Sequence, residues 1–124
     1  MLSHSAVFAT APTADVARSK EFYTAKLGLK IMHEDEAGIA FEAGNGSSIY
    51  LYKRAPSKAD HTIASFMVKN VEQEVRDLQK KGVVFENYSM PGLKTENGIA
   101  TWGKDKAAWF KDPDNNIIGL FQKG

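Results

Sequence analysis

The sequence contains no cysteine, which excludes disulfide bonds, thiolate nucleophiles and cysteine-based zinc sites. It also lacks a phosphate-binding glycine-rich loop of either standard spacing and the Gly-x-Ser-x-Gly sequence of a nucleophile elbow. Glu42, Glu86 and Glu96 have the chemistry of a general base, but nothing in the sequence singles out one of them. We therefore predict no catalytic residue and no cofactor.

A charge surplus and long apolar runs are absent as well. The 16 basic residues nearly balance the 15 acidic ones, for a net charge of +1, so nucleic acid is not an expected partner. No stretch approaches the roughly 18 consecutive apolar residues of a transmembrane helix, and the first residues do not resemble a signal peptide. We expect a soluble cytoplasmic protein with no nucleic-acid or membrane partner.

What is present is a pattern of elements that the chain runs through twice. In the first pass, a helix with its N-cap at Thr13 or Asp15 ends at Gly28. In the second pass, a helix begins at Asn70 and ends at Gly82. Apolar runs around these helices predict strands at residues 6–11, 29–33, 38–42, 48–52, 62–68, 83–85, 107–110 and 117–121, with a hairpin turn at 44–46.

This repetition divides the 124 residues, treated as a single domain, into two modules. The first module spans residues 1–54, a polar linker spans 55–60, and the second module spans 61–124. The symmetry breaks at residues 89–105, which hold a short predicted strand at 99–102. This segment is either a surface excursion anchored by its tryptophan or a flap over a ligand site.

The end of the chain carries a specific turn. Two apolar runs flank residues 112–116 (Asp-Pro-Asp-Asn-Asn), where Pro113 presets φ and either Asn115 or Asn116 takes a positive φ. This hairpin, residues 15–23 and the Leu-Gly-Leu at 27–29 together resemble the glyoxalase/bleomycin-resistance/dioxygenase superfamily, also called vicinal oxygen chelate proteins. The resemblance spans nearly the whole chain. It implies an α+β fold of two β-α-β-β-β modules that form a cupped mixed sheet, and a homodimer.

Most enzymes of that superfamily bind a metal ion through a His, Glu or Gln at each of four strand positions. Carried over by the resemblance, those positions are Phe8, Tyr50, Ile63 and Gly119. Only the Tyr50 phenol has a donor atom, and a one-residue shift of register restores no ligand set. His61 is an alternative as a displaced ligand, although a solvated histidine at a strand end fits it better. We therefore predict no metal ion at the superfamily's site.

The two-residue period of a strand turns the neighbours of these positions toward the same cup. With two tryptophans added as stacking candidates, the predicted ligand-binding residues are Phe8, Thr10, Tyr50, Tyr52, Ile63, Ser65, Met67, Trp102, Trp109, Gly119 and Phe121. This apolar and aromatic set, with a few hydroxyls and no carboxylate, is typical of a small-molecule pocket, although the same residues would also fill a closed core. The acidic run at residues 33–36 is interpreted as a solvated turn.

These observations predict a protein that binds a small aromatic molecule, neutral or weakly anionic, without a metal ion. The first alternative is a metal-dependent lyase, isomerase or dioxygenase of the same superfamily. The second is an interaction module whose cup is filled by its own side chains. A bound divalent ion would favour the enzyme. An open cavity near Trp102 would favour the small-molecule binder, and a packed interior would favour the interaction module.

Overall fold

The structure is a computed structural model that describes residues 1–58 and 60–124. The chain forms two compact units, Met1–Ser57 and Lys58–Gly124. Each unit has an α+β fold with one mixed sheet and one principal helix, as predicted. Part of the predicted linker, residue 59, lies outside the described residues. None of the helices in the described ranges is long and apolar enough to cross a membrane.

The first unit has the predicted β-α-β-β-β order. Its elements are β1 (Ala9–Thr13), α1 (Val16–Glu21), β2 (Lys30–Glu34), β3 (Gly38–Glu42) and β4 (Ser48–Lys53). The sheet order is β1-β4-β3-β2, with β1 parallel to β4 and the other neighbours antiparallel. A single turn at Gly44–Gly46 joins β3 to β4, as the sequence predicts, with Asn45 at a φ of 54°.

Asp15 is the N-cap of α1, because its side chain accepts a hydrogen bond from the Arg18 amide at 3.1 Å. The other candidate, Thr13, instead shares a buried hydrogen bond of 2.7 Å with the Ser19 hydroxyl. The helix continues as a π-type turn at Phe22–Lys26. Gly28 follows at a φ of 74°, a backbone conformation that ends the helix and that glycine adopts without strain.

The predicted first strand at residues 6–11 is wrong at its start. The ladder between β1 and β4 begins with the pairing of Ala9 and Ile49. Since β4 itself begins at Ser48, residues 6 and 7 have no partner strand there. Phe8 therefore precedes the strand and is 56% exposed.

Alternate residues of the first sheet point to opposite faces. One face is covered by the helix, and Tyr23 stacks on Phe41 with 5.2 Å between ring centroids. The apolar core on this side consists of Ala11, Phe22, Tyr23, Ile39, Phe41, Ile49 and Leu51, all buried. The other face, which carries Thr10, Tyr50 and Tyr52, is not covered by α1.

The second unit is built on a six-stranded sheet. Its elements are β5 (Thr62–Met67), α2 (Val71–Lys80), β6 (Ser89–Met90), β7 (Leu93–Glu96), β8 (Ile99–Trp102), β9 (Asp105–Lys111) and β10 (Ile117–Gln122). The sheet order is β5-β10-β9-β8-β7-β6, with β5 parallel to β10. Helix α2 packs against β9 and β10 through the buried side chains of Val71, Val75 and Leu78.

Two expectations for this unit need correction. The predicted strand at 83–85 is wrong, because Phe85 makes only an isolated bridge to Phe110. Val83 and Phe85 are buried in the core. Their apolar side chains therefore reflect burial and not strand pairing. The segment at 89–105 is mostly strand, since β6, β7 and β8 widen the sheet. The short predicted strand within it, now β8, is confirmed.

The hairpin between β9 and β10 is also confirmed, and its turn is held by one buried carboxylate. Asp112 Oδ1 accepts hydrogen bonds from the amides of Asp114 and Asn116, both at 2.9 Å. Its Oδ2 accepts the side-chain amide of Asn116 at 2.9 Å. Asn115, and not Asn116, takes the positive φ, at 64°.

Candidate functional site

The face of the first sheet that α1 does not cover contains a cavity of about 450 Å³. It is lined by Phe8, Met32, Asp35, Ala40, Ser48 and Tyr50. The register explains part of this set, because Tyr50 pairs with Thr10 on one side and with Ala40 on the other. The cavity volume lies within the range of small-molecule sites.

Two of the four predicted residues of this unit, Phe8 and Tyr50, line the cavity. Thr10 is the β1 partner of Tyr50, and Tyr52 lies two residues further along β4 on the same face. The sequence reasoning missed the remaining four lining residues. Cross-strand pairing with Tyr50 is a usable sequence signal for Ala40, whereas the acidic run at residues 33–36 predicts a solvated turn and hides the role of Asp35.

Asp35 shapes the polar end of this cavity. Its Oδ1 accepts hydrogen bonds from the amides of Ala37 at 2.8 Å and Gly38 at 3.1 Å, and its Oδ2 lies 2.9 Å from His33 Nε2. The hydrogen bond from His33 and then that from the Ala37 amide lower the pKa of Asp35. The carboxylate is therefore ionised at neutral pH.

Gly38 leaves room for the tyrosine at the same end. A Cβ placed on Gly38 would lie 3.0 Å from the Tyr50 hydroxyl and 2.1 Å from the backbone oxygen of Leu51. Only glycine therefore fits there, and the Tyr50 hydroxyl reaches the turn that Asp35 caps. The cavity thus has a polar end at Asp35 and an apolar body at Phe8, Met32 and Ala40.

The second unit brings its predicted residues to one face of its own sheet. Gly119 on β10 pairs with Ser65 on β5 and with Trp109 on β9. Phe121 pairs with Met67, two residues further along each strand. Ile63, two residues before Ser65, lies at a register shift, because Ile117 pairs with Thr62 and Ile118 pairs with Ala64.

An aromatic cluster extends this second face. The Trp109 ring makes edge contacts with Tyr88 at 5.5 Å and Trp102 at 6.4 Å between centroids. The Trp102 indole donates a hydrogen bond to the Gly92 carbonyl at 3.1 Å, which ties β8 to the turn between β6 and β7. Tyr88 was not predicted; burial and then the nearby Glu86 carboxylate raise the pKa of its hydroxyl.

A larger cavity of about 520 Å³ in the second unit contains none of the predicted residues. Its lining is Glu72, Lys94, Glu96, Asn97, Ile99, Thr101 and Lys106. Lys106 forms an ion pair with Glu72 across this groove. Because four of these seven lining residues are charged and both signs are present, this groove does not have the profile of an aromatic site.

The four carried-over metal positions do not fit a divalent ion. Phe8 and Ile63 have no donor atom, and a Cβ on Gly119 would lie 2.6 Å from Ser65 Oγ, so an acidic side chain there meets Ser65. Within residues 1–58 and 60–124, no three His, Asp or Glu side chains are grouped to hold a metal ion. His61 is exposed, with its Nδ1 3.4 Å from the neighbouring Asp60 carboxylate.

The fold and these two faces define an α+β protein with two sheet-and-helix units. A family model of the Glyoxalase/Bleomycin resistance protein/Dioxygenase superfamily matches residues 4–120, and the chain belongs to this superfamily. A comparison with curated proteins finds no match.

Several solved structures have the same fold. A lactoylglutathione lyase from Agrobacterium tumefaciens is 15% identical with a TM-score of 0.72, covering 95% of this chain and 93% of the lyase. TnmS3, an antibiotic binding protein from Streptomyces sp. CB03234, is 23% identical with a TM-score of 0.67, covering 98% and 100% of the two chains. A superfamily protein from Alicyclobacillus acidocaldarius is 14% identical with a TM-score of 0.70, covering 96% and 91%. At these identities the likeness shows the fold.

Proposed function

We propose that this protein binds a small aromatic organic molecule without a metal ion. The observation that carries the proposal is the cavity on the face of the first sheet opposite α1, where Phe8 and Tyr50 offer ring surfaces. Aromatic rings supply a large contact area with defined geometry. A cavity with an apolar body and few polar groups suits a ligand held mainly by ring contacts.

The chemistry of the metal positions supports binding over catalysis. A lyase, isomerase or dioxygenase that polarises substrate oxygens on a metal ion needs several converging donors. Phe8, Ile63 and Gly119 supply none. Among solved structures, the antibiotic binding protein from Streptomyces offers a precedent for a binding role on this fold, and the lyase from Agrobacterium keeps the enzyme as the second candidate.

The face of the second sheet adds a separate aromatic surface to this proposal. Trp109 and Trp102 are the stacking candidates there, and Ser65 offers a hydroxyl beside Gly119. We propose that the hairpin of β6 and β7 covers this surface, since the indole of Trp102 holds its turn in place through Gly92.

The proposal is tested by a thermal-shift screen of aromatic compounds against wild-type protein. A ligand at 100 times its dissociation constant adds about 2.7 kcal/mol to the free energy of unfolding. Phe8→Ala and Tyr50→Ala should weaken binding of any hit, whereas Val7→Ala, a neighbouring exposed residue, should leave it unchanged. Absence of any stabilising compound would contradict the proposal.

Metal independence is tested separately. Elemental analysis of purified protein, followed by calorimetric titration with nickel, zinc, iron and manganese, should reveal no stoichiometric ion. A stoichiometric ion lost in a His61→Ala or Tyr50→Phe variant would instead support the enzyme and would overturn the assignment of the four positions.

A further inference from the structure

Asp35 supplies the one carboxylate among the described residues that line the first cavity. The two oxygens of this carboxylate have different hydrogen-bond partners. Oδ1 caps the turn between β2 and β3 by accepting the amides of Ala37 and Gly38, whereas Oδ2 contacts only His33 among the described residues. The backbone therefore fixes the position of the carboxylate without using its second oxygen.

His33 is a replaceable partner. Its side chain is 64% exposed, and that of Asp35 is 49% exposed. Exposed pairs of this kind contribute little to stability, so moving His33 away costs little while the Oδ1 contacts preserve the turn. A charged group that enters the cavity can accordingly take the place of His33 at Oδ2.

Asp35 is the charged group that a ligand in this cavity would contact. The neighbouring Glu34 carboxylate is paired with Lys20 at 2.8 Å, and Glu36 is exposed and does not line the cavity. Within the part of the chain that the structure describes, no lysine or arginine lines the cavity either. The polar end of this site is therefore negative.

We propose that Asp35 is the specificity-determining residue of this cavity and selects an aromatic ligand with a positively charged amino group. This inference rests on the proposed function, and it changes the ligand charge expected from the sequence, which was neutral or weakly anionic. The ring lies against Phe8 and Tyr50, and the amino group displaces His33 from Oδ2. A cation joined to a ring by a short chain satisfies both ends of the site at once.

A charge series on wild-type protein tests the inference without any substitution. The probes are phenethylamine, which is cationic, 2-phenylethanol, which is neutral, and 3-phenylpropionate, which is anionic. All three share a phenyl ring on a short chain. Binding is measured by nuclear magnetic resonance titration. We expect phenethylamine to bind about two- to fivefold more tightly than the alcohol, because an ion pair at a half-exposed carboxylate is weak but favourable, and the anion to bind most weakly.

Three variants test whether Asp35 and His33 cause the preference for phenethylamine. Asp35→Asn keeps an oxygen for the turn amides and should remove the preference for phenethylamine. His33→Ala frees Oδ2 and should tighten binding of phenethylamine. Glu36→Gln, the matched control, removes a carboxylate from the same turn and should change neither.

The outcomes separate this inference from the proposed function. If 2-phenylethanol binds as tightly as phenethylamine, or Asp35→Asn keeps the preference, Asp35 does not select the ligand, while aromatic binding stands. If His33→Ala weakens binding of phenethylamine, His33 is not a competitor and that part of the proposal is wrong. If neither these probes nor the compounds of the thermal-shift screen bind, the proposed function fails and the inference fails with it.

Discussion

The side-chain oxygen of Gln122 accepts a hydrogen bond from the backbone amide of Val71 at 2.8 Å. Val71 is the first residue of α2, where amides have no partner inside the helix. The last residue of β10 therefore satisfies a donor at the start of a helix 51 positions earlier in the chain. Together with the Asn70 cap, whose Oδ1 accepts the Gln73 amide at 3.0 Å, it fixes the start of α2.

We expect Gln122→Ala to lower the free energy of unfolding by about 1 kcal/mol, the usual net value of one hydrogen bond. Gln122→Glu keeps an acceptor oxygen and should cost less. The measurement is urea denaturation followed by circular dichroism. Gln79→Ala, an exposed glutamine elsewhere on α2, is the control for loss of a glutamine side chain.

Gly119 and Ser65 should show strong coupling. A Cβ on Gly119 would lie 2.6 Å from Ser65 Oγ and 3.4 Å from Trp109 Cδ1, so Gly119→Ala overpacks this face and should cost about 1–3 kcal/mol. Ser65→Ala removes the closer atom. The double variant should recover part of that loss in a double-mutant cycle. Additive losses would show that the Ser65 hydroxyl rotates away freely.

Acid should weaken the link between α2 and β9. The hydrogen bond and charge of Lys106 lower the pKa of Glu72 below its ordinary value of 4.5. Because the folded-state pKa is the lower one, the contribution to stability is present above about pH 4.5 and is lost as the pH falls through the folded value. Glu72→Gln should therefore be less stable than wild type at neutral pH, and the two should converge in acid. Glu74→Gln, from the same helical turn, is the control for loss of a carboxylate near the start of α2.

We expect a homodimer in solution. Strand β2 lies at one edge of the first sheet, and all five of its residues are exposed. Ile31 is 43% exposed on this strand, and such edges favour pairing with another chain. Sedimentation equilibrium at micromolar concentration should give about twice the 13.7 kDa of one chain. Ile31→Lys should lower that mass, whereas Val7→Lys, at an exposed apolar position outside the strands, should not. A single-chain mass for wild type would contradict the dimer.

Local signals in the sequence were sufficient for most of the fold. Caps such as Asn70, the turn at residues 112–116 and alternating apolar runs each act over a few residues, so they predict elements well. The incorrect predictions concern features that depend on pairing between distant parts of the chain. The apolar residues at 83–85 predict a strand. Among the described residues, however, they form one isolated bridge, between Phe85 and Phe110, and no strand ladder. Residues 89–105 read as irregular because their strands are only two to four residues long.

The candidate site shows the same division. Period-two alternation placed Tyr50 with Thr10 and Ser65 with Gly119 on shared faces, because register follows from the strands themselves. Asp35 was missed because its role depends on how the turn between β2 and β3 folds back toward the cavity. An acidic run looks solvated until the backbone amides that orient one of its carboxylates are known.

The asparagines of the two Asn-Gly turns, Asn45 and Asn97, should deamidate at different rates. Deamidation begins when the backbone nitrogen after an asparagine attacks its side-chain carbonyl and forms a cyclic imide. At Asn97 that nitrogen belongs to Gly98, which is buried and donates a hydrogen bond to Asn87 Oδ1 at 2.9 Å. At Asn45, both the asparagine and Gly46 are exposed at the turn before β4. Stored protein should therefore acquire isoaspartate first at Asn45, and the hairpin next to Tyr50 would gain a negative charge with time.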